Sequence, residues 1–171
     1  MKLKTKDLLT LAELTPKEFV QLIDYSIILK KELKRNVHKP VLKNKTLTMI
    51  FQKPSTRTRV SFETGMYQLG GHAINLSSND MQLSRGESIE DTARTLSRFT
   101  DCIMARVYDH NLLEKLSEYA SIPVINGLSN SFHPCQILAD FMTIKEKKKN
   151  FKGLKIAWIG DGNNVCNSMI Y

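Results

Sequence analysis

Thr46-Leu47-Thr48-Met49-Ile50-Phe51-Gln52-Lys53-Pro54-Ser55-Thr56-Arg57-Thr58-Arg59 reads as a strand, a turn and the mouth of a helix. The apolar, β-branched run from Thr46 to Phe51 stops at Lys53-Pro54. Phe62, Met66 and Leu69, spaced i, i+4, i+7, then predict a helix over 55–69. The first turn of a helix leaves several N–H groups without partners and carries roughly half a positive charge, so it is a seat for an anion such as phosphate. Ser55, Thr56 and Thr58 add hydroxyl donors there, and Arg57 adds a planar fork matched to phosphate oxygens. A plainer reading stands beside this one: Ser55 is an ordinary N-cap and the arginines are solvated.

Outward from this stretch, short β-type runs alternate with helical ones. Thr15-Pro16-Lys17-Glu18 is a helix start, with a capping Thr, Pro at the first helical position and an acid three residues after the cap. Phe19, Leu22, Ile23, Ile27 and Leu33 then form an inward face. Strands are predicted at Thr46–Phe51, His72–Leu76, Asp101–Arg106, Ile122–Asn126 and Leu154–Ile159, and helices at Ser55–Leu69, Glu87–Phe99, Asn111–Ala120 and His133 to about Lys145. This alternation implies an α/β fold in three layers, a mainly parallel sheet with helices on both faces. In such sheets ligands collect past the carboxyl ends of strands. The unusual polar residues fall there: Ser55 to Arg59, Arg106, and Asn126 to Gln136.

Gly127-Leu128-Ser129-Asn130-Ser131-Phe132-His133-Pro134-Cys135-Gln136 is a second loop running into a helix. His133 is open to three roles: metal ligand, acid or base, or neutral donor. The other three histidines form no ligand spacing with it, which argues against metal. A histidine that merely caps its own helix is the plain alternative. Cys135 beside it reads as a small hydrophobe, since adjacency in sequence makes no thiolate pair. Ser84-Arg85-Gly86-Glu87 has capping-box spacing. Ile159-Gly160-Asp161-Gly162-Asn163-Asn164 looks like a dinucleotide glycine loop but lacks the third glycine.

With 171 residues, 42% of them hydrophobic, the chain has the size of one domain plus a remnant. No apolar run approaches the roughly 20 residues that span a bilayer, and Met1 to Asp7 lacks a signal-peptide core, so the expectation is a soluble, cytoplasmic protein without a membrane partner. Cys102, Cys135 and Cys166 suggest neither a disulfide framework nor a zinc site. The net charge of +8 lies largely in Lys30 to Arg35 and Lys145 to Lys149, at the ends of helical patterns where cations oppose the helix dipole. No aromatic residues interleave with these cations, so nucleic acid is not an expected partner.

Taken together, Ser55-Thr56-Arg57-Thr58-Arg59, Gln82-Leu83-Ser84-Arg85-Gly86-Glu87-Ser88 with Asp91-Thr92-Ala93, Ala105-Arg106, His133-Pro134-Cys135-Gln136-Ile137-Leu138-Ala139-Asp140, and Trp158-Ile159-Gly160-Asp161-Gly162-Asn163-Asn164 resemble the aspartate/ornithine transcarbamoylase family, in order and spacing. Gln82, where aspartate-specific members usually carry lysine, favours the ornithine branch. The resemblance implies transfer of the carbamoyl group of carbamoyl phosphate to the side-chain amine of L-ornithine in arginine biosynthesis, giving L-citrulline and phosphate, with no cofactor and no metal. It implies that Ser55, Thr56, Arg57 and Thr58 hold the phosphate, and that Arg106 bridges phosphate and carbonyl oxygen. His133 and Thr58 would donate to that oxygen, and Gln136 would orient the carbamoyl NH2. Gln82 would reach a phosphate in a neighbouring subunit of a homotrimer, and Asn164 would meet ornithine.

The family's second domain carries an Asp-x-x-x-Ser-Met-Gly loop and a His-Cys-Leu-Pro segment, and neither is present. Residues 1–150 are therefore expected to be the carbamoyl-phosphate-binding domain, and 151–171 the first strand and phosphate-loop-like start of a truncated ornithine domain, so that the chain is inactive alone. A transcarbamoylase for another amine and a non-catalytic phosphate-binding α/β module are the rival readings.

Overall fold

The computed structural model describes residues 3–77, 81 and 86–171. Along them run α1 (Pro16–Lys34), β1 (Thr46–Phe51), α2 (Thr56–Gln68), β2 (His72–Ser77), α3 (Ile89–Phe99), β3 (Cys102–Arg106), α4 (His110–Tyr119), β4 (Val124–Leu128), α5 (Pro134–Lys148) and α6 (Asn164–Ile170). No described helix is long and apolar enough to cross a membrane. Gln82 and the cap expected at Ser84 lie outside the described residues. The observed N-cap of α3 is Ser88, whose side chain accepts from the Asp91 N–H at 3.0 Å.

All four strands are parallel, in the order β2-β1-β3-β4. The chain leaves β1 towards β2 on one side and returns to β3 on the other, so the order reverses between β1 and β3. That reversal opens a crevice past the carboxyl ends of the two strands. The register sets Phe51 opposite Arg106, and the Gln52 N–H donates to the Arg106 carbonyl at 2.9 Å, which puts the β1–α2 loop beside the Arg106 side chain.

Strand alternation sorts the core onto two faces. Ile50, Ile103, Ala105 and Val124 pack with Ala93 of α3 and Leu113 and Leu116 of α4. Leu47, Met49, Phe51 and Met104 face the other way, towards Phe62 and Met66 of α2. A third cluster joins Phe19 and Leu22 of α1, Ile137 of α5 and Val165 and Met169 of α6. Between β3 and β4 the pairing slips by one residue, from Ala105 opposite Asn126 to Arg106 opposite Leu128. The extra residue is Gly127, where a Cβ would stand 2.3 Å from the Met104 sulfur. A glycine there leaves room for the buried Met104 side chain at the point where the register slips.

Two predicted strands differ from the structure. The run from Ile122 starts as β4 only at Val124, because Pro123 has no N–H for the ladder. Leu154–Ile159, expected to open a further strand, forms none. Its residues are exposed, and no strand lies beside it among the described residues to complete a ladder. The seven-residue helix α6 that follows was not expected.

Candidate functional site

At the mouth of α2, Ser55 is the N-cap; its hydroxyl accepts from the Thr58 N–H at 3.4 Å and donates to Thr58 Oγ1 at 3.0 Å. Arg106 Nη1, arriving from β3, donates to the same Thr58 Oγ1 at 3.3 Å. Thr58 Oγ1 thus accepts twice, which leaves its own hydroxyl hydrogen for an oxygen outside the cluster. Capping and anion seat are therefore compatible at this junction: Ser55 does cap, and a guanidinium stands against the same turn. Arg106 Nε is buried with no hydrogen-bond partner, and burial lowers its pKa. A buried donor on a cation without a partner is free to take an anion's oxygen.

His133 lies within electrostatic reach of Arg106. It is the residue before α5, and its ring does not cap that helix. Burial, and then the charge of Arg106, push its pKa down to about 4, so the ring is neutral at pH 7. Its Nδ1 is buried without a partner. A neutral imidazole with a free nitrogen beside a guanidinium can donate or accept one hydrogen bond, and it cannot add charge.

The structure places the remaining expected residues less uniformly. Thr56 and Arg57 are exposed, and Arg57 lines a shallow depression on the outer side of α2 with Val60, Ser61 and Thr64, apart from the Thr58–Arg106 contact. Arg59 is paired with Glu63 at 2.9 Å one turn on, which takes it out of the anion seat. Gln136 Nε2 donates to Asp140 Oδ1 at 2.9 Å, which directs its amide oxygen away from that carboxylate. Asn164 Nδ2 donates to the Ser129 carbonyl at 2.7 Å. The Cys135 thiol donates to the Asn126 carbonyl at 3.4 Å, and burial pushes it up to about 12, so it is no nucleophile at neutral pH.

Several residues of the stretches already singled out join the loops around the crevice through contacts that carried no signal in the sequence. Lys53 Nζ donates to Asn130 Oδ1 at 2.8 Å and sits 4.1 Å from the centre of the Tyr108 ring. Gln52 Oε1 accepts from the Tyr108 N–H at 3.0 Å. These contacts tie the β1–α2, β3–α4 and β4–α5 loops together across 56 and 77 residues of chain, beyond the reach of any local pattern.

The family model described as "Aspartate/ornithine carbamoyltransferase, carbamoyl-P binding domain" matches residues 6–146. The chain belongs to the aspartate/ornithine carbamoyltransferase family. Within that family, ornithine carbamoyltransferase of Cenarchaeum symbiosum is 61% identical over the whole chain, which covers 56% of that protein. The Pyrococcus abyssi ornithine carbamoyltransferase is 57% identical over 98% of the chain, which covers 53% of it. Among solved structures, ornithine carbamoyltransferase from Pyrococcus furiosus superposes with a TM-score of 0.95 at 54% identity, over 99% of this chain and 54% of that one. The anabolic enzyme from Campylobacter jejuni gives 0.89 at 47% identity, over 97% of this chain and 54% of that one. The chain thus spans a little over half the length of the family members it matches.

Proposed function

We propose that this chain is the carbamoyl-phosphate-binding half of an ornithine carbamoyltransferase. One observation carries the reading: Ser55, Thr58 and Arg106 meet at the mouth of α2, at the β1/β3 switch point, with a neutral His133 that feels the Arg106 charge. The match of residues 6–146 to the carbamoyl-P binding domain supports it from the side of sequence.

In the reaction, the uncharged side-chain amine of L-ornithine attacks the carbamoyl carbon of carbamoyl phosphate. A C–N bond forms, the C–O bond to phosphate breaks with its electron pair, and the amine's proton passes to the departing phosphate, leaving L-citrulline and hydrogen phosphate. The displacement needs no electron sink or redox partner, so no cofactor or metal enters the proposal. The protein's task is to hold the dianion and to stabilise the oxyanion of the tetrahedral state. The free N–H groups of the first turn of α2, with Ser55, Thr56, Arg57 and Thr58, take the phosphate oxygens; Arg57 swings inward from its exposed position to do so. Arg106 bridges phosphate and carbonyl oxygen with its fork of N–H groups, the Nε–H that lacks a partner among them. His133 and the Thr58 hydroxyl donate to that carbonyl oxygen, each worth about 3 to 4 kcal/mol of barrier as an oxyanion donor. Gln136 offers its amide oxygen to the carbamoyl NH2, and Asn164 meets ornithine. Gln82 reaches the phosphate of a neighbouring subunit in a homotrimer. The setting is cytoplasmic arginine biosynthesis.

Titration of the 171-residue chain with carbamoyl phosphate and with inorganic phosphate, followed by amide shifts, tests the binding half of this reading. The expected result is saturable movement of the Ser55 to Thr58 amides, at least tenfold weaker in Arg106→Leu, with no response to ATP or NAD. Tight nucleotide binding with indifference to carbamoyl phosphate would instead make the chain a nucleotide module. Citrulline formation is expected only from a chain extended to the length of its relatives, and a normal rate from the 171 residues alone would contradict the division of labour.

A further inference from the structure

Ser168 is among the most deeply buried polar side chains, at 1% exposure, yet it lies on a short helix near the end of the chain. Its hydroxyl accepts from the backbone N–H of His133 at 2.7 Å and donates to the Asn164 carbonyl one turn back at 3.0 Å. The same face of α6 makes two more contacts with the same loop. Asn164 Nδ2 donates to the Ser129 carbonyl at 2.7 Å, and Asn167 Nδ2 to the Ser131 carbonyl at 3.1 Å. Positions 164, 167 and 168 share one helix face by the i, i+3, i+4 rule. Val165 and Met169 fasten an adjacent stripe into the cluster formed with α1 and α5. A seven-residue helix is not stable alone, so its place is set by this packing and by the loop it grips.

The loop is held from its other side as well. His110 Nδ1 lies 2.9 Å from Ser129 Oγ, and Asn126 Nδ2 donates to the Phe132 carbonyl at 3.3 Å. Pro134 restricts the backbone of the residue before it, and His133 sits at φ −142°, ψ 69°. The His133 carbonyl accepts from the Gln136 N–H at 3.1 Å, so both backbone polar groups of His133 are engaged while its Nδ1 is left without a partner.

We propose that Ser168 is a positioning residue: by holding the His133 N–H, its hydroxyl fixes the direction in which the imidazole faces Arg106. What the imidazole does there rests on the proposed function; that Ser168 aims it does not. The inference extends the candidate site to an element 35 residues further along the chain, which touches no expected ligand through Ser168 itself.

The test is a histidine-selective NMR titration of the 171-residue chain. Arg106 and Asp140 are the charges that act on the His133 ring, which is expected to titrate near pH 4 in the wild type. In Ser168→Ala the His133 protonation constant is expected to rise at least tenfold as the ring relaxes out of its buried place and away from Arg106, while the His110 signal and the far-UV spectrum stay put. Asn167→Ala, which loosens the same loop without touching His133, is expected to shift it less than twofold. An unchanged His133 midpoint in Ser168→Ala, or equal shifts in both variants, would overturn the proposal. Should Ser168→Ala not fold, hydrogen exchange of the His133 amide in the wild type decides: protection equal to that of α5 supports the contact, and exchange at the rate of an open amide refutes it. Phosphate titration of the same sample separates the two ideas, since a wild type that binds no phosphate fails the functional reading and leaves the His133 result intact.

Discussion

On the sheet face covered by α3 and α4, Ile103, Ala105, Val107, Leu113, Leu116 and Val124 have no exposed surface at all. On the opposite face Met49 and Met104 of the sheet are just as buried, but no residue of α2 is, and a cavity of about 660 Å3 opens between that helix and the amino-terminal ends of β1 and β3, lined by Phe62, Met66, Leu47 and Cys102. The same sheet is closed tightly on one side and loosely on the other. The loose side carries the helix whose first turn forms the candidate anion seat. Helices that bind ligands are drawn from the weakly held part of a fold, because a seat that must admit and release an anion cannot be locked by packing.

The contrast breaks most sharply by truncation. Leu116→Ala removes a side chain with neighbours on every side, and about 3 to 4 kcal/mol of stability should go with it, read from the shift of a urea midpoint. Met66→Ala, on the half-buried face beside an existing cavity, should cost about 1 kcal/mol, since little new void is made. Equal losses would mean that α2 is packed as firmly as α4. The next effect is ligand linkage. Phosphate or carbamoyl phosphate at a hundred times its dissociation constant should stabilise the bound state by about 2.7 kcal/mol. In hydrogen exchange the added protection should appear chiefly in α2, whose local openings the ligand suppresses, with the amides of α4 gaining only what global unfolding gives them. Uniform protection of both helices would show that α2 opens only with the whole molecule.

What the sequence made legible follows the same division between local and distant causes. The strand, Lys-Pro turn, Ser cap and α2 were readable because each is set within a few residues, and Arg106 because it ends a strand of the same pattern. The parallel sheet followed from alternation alone. Pro123 held a usable warning, since a proline demotes the run that contains it, and β4 duly starts one residue later. Leu154–Ile159 misled because side-chain pattern reports only a preference for extended chain, whereas a strand needs a neighbour with free N–H and carbonyl groups. The roles of Ser168 and Asn167 were invisible for a different reason, since their partners lie 35 and 36 residues away, and Lys53 was read only as part of its turn because its partner is 77 residues away.

The smallest effect lies in pH, and it also tells the two regions apart. The hydrophobic side chains clustered under α3 and α4 do not titrate between pH 4 and 7, although His110 at the start of α4, whose pKa burial lowers, adds a share of the same sign as that of His133. The crevice end holds His133, whose folded pKa of about 4 lies below its ordinary 6.5 because burial and Arg106 disfavour the imidazolium. Between those two values the unfolded chain binds the proton that the folded chain refuses. Stability therefore rises with pH across that window: the contribution is complete above about 6.5 and is lost as pH falls towards 4. Glu18 acts in a separate window. Hydrogen bonds from the Thr15 hydroxyl and backbone and from the Lys4 N–H lower its carboxyl to about 2, so its share is lost only as pH falls below about 4.5. Urea midpoints measured from pH 7 to pH 4 should thus fall in the wild type and fall less steeply in His133→Gln. Leu116→Ala should lower the whole curve without changing its slope. If His133→Gln keeps the wild-type slope, the imidazole is not held neutral beside Arg106, and the crevice loses the uncharged donor on which the proposed chemistry depends.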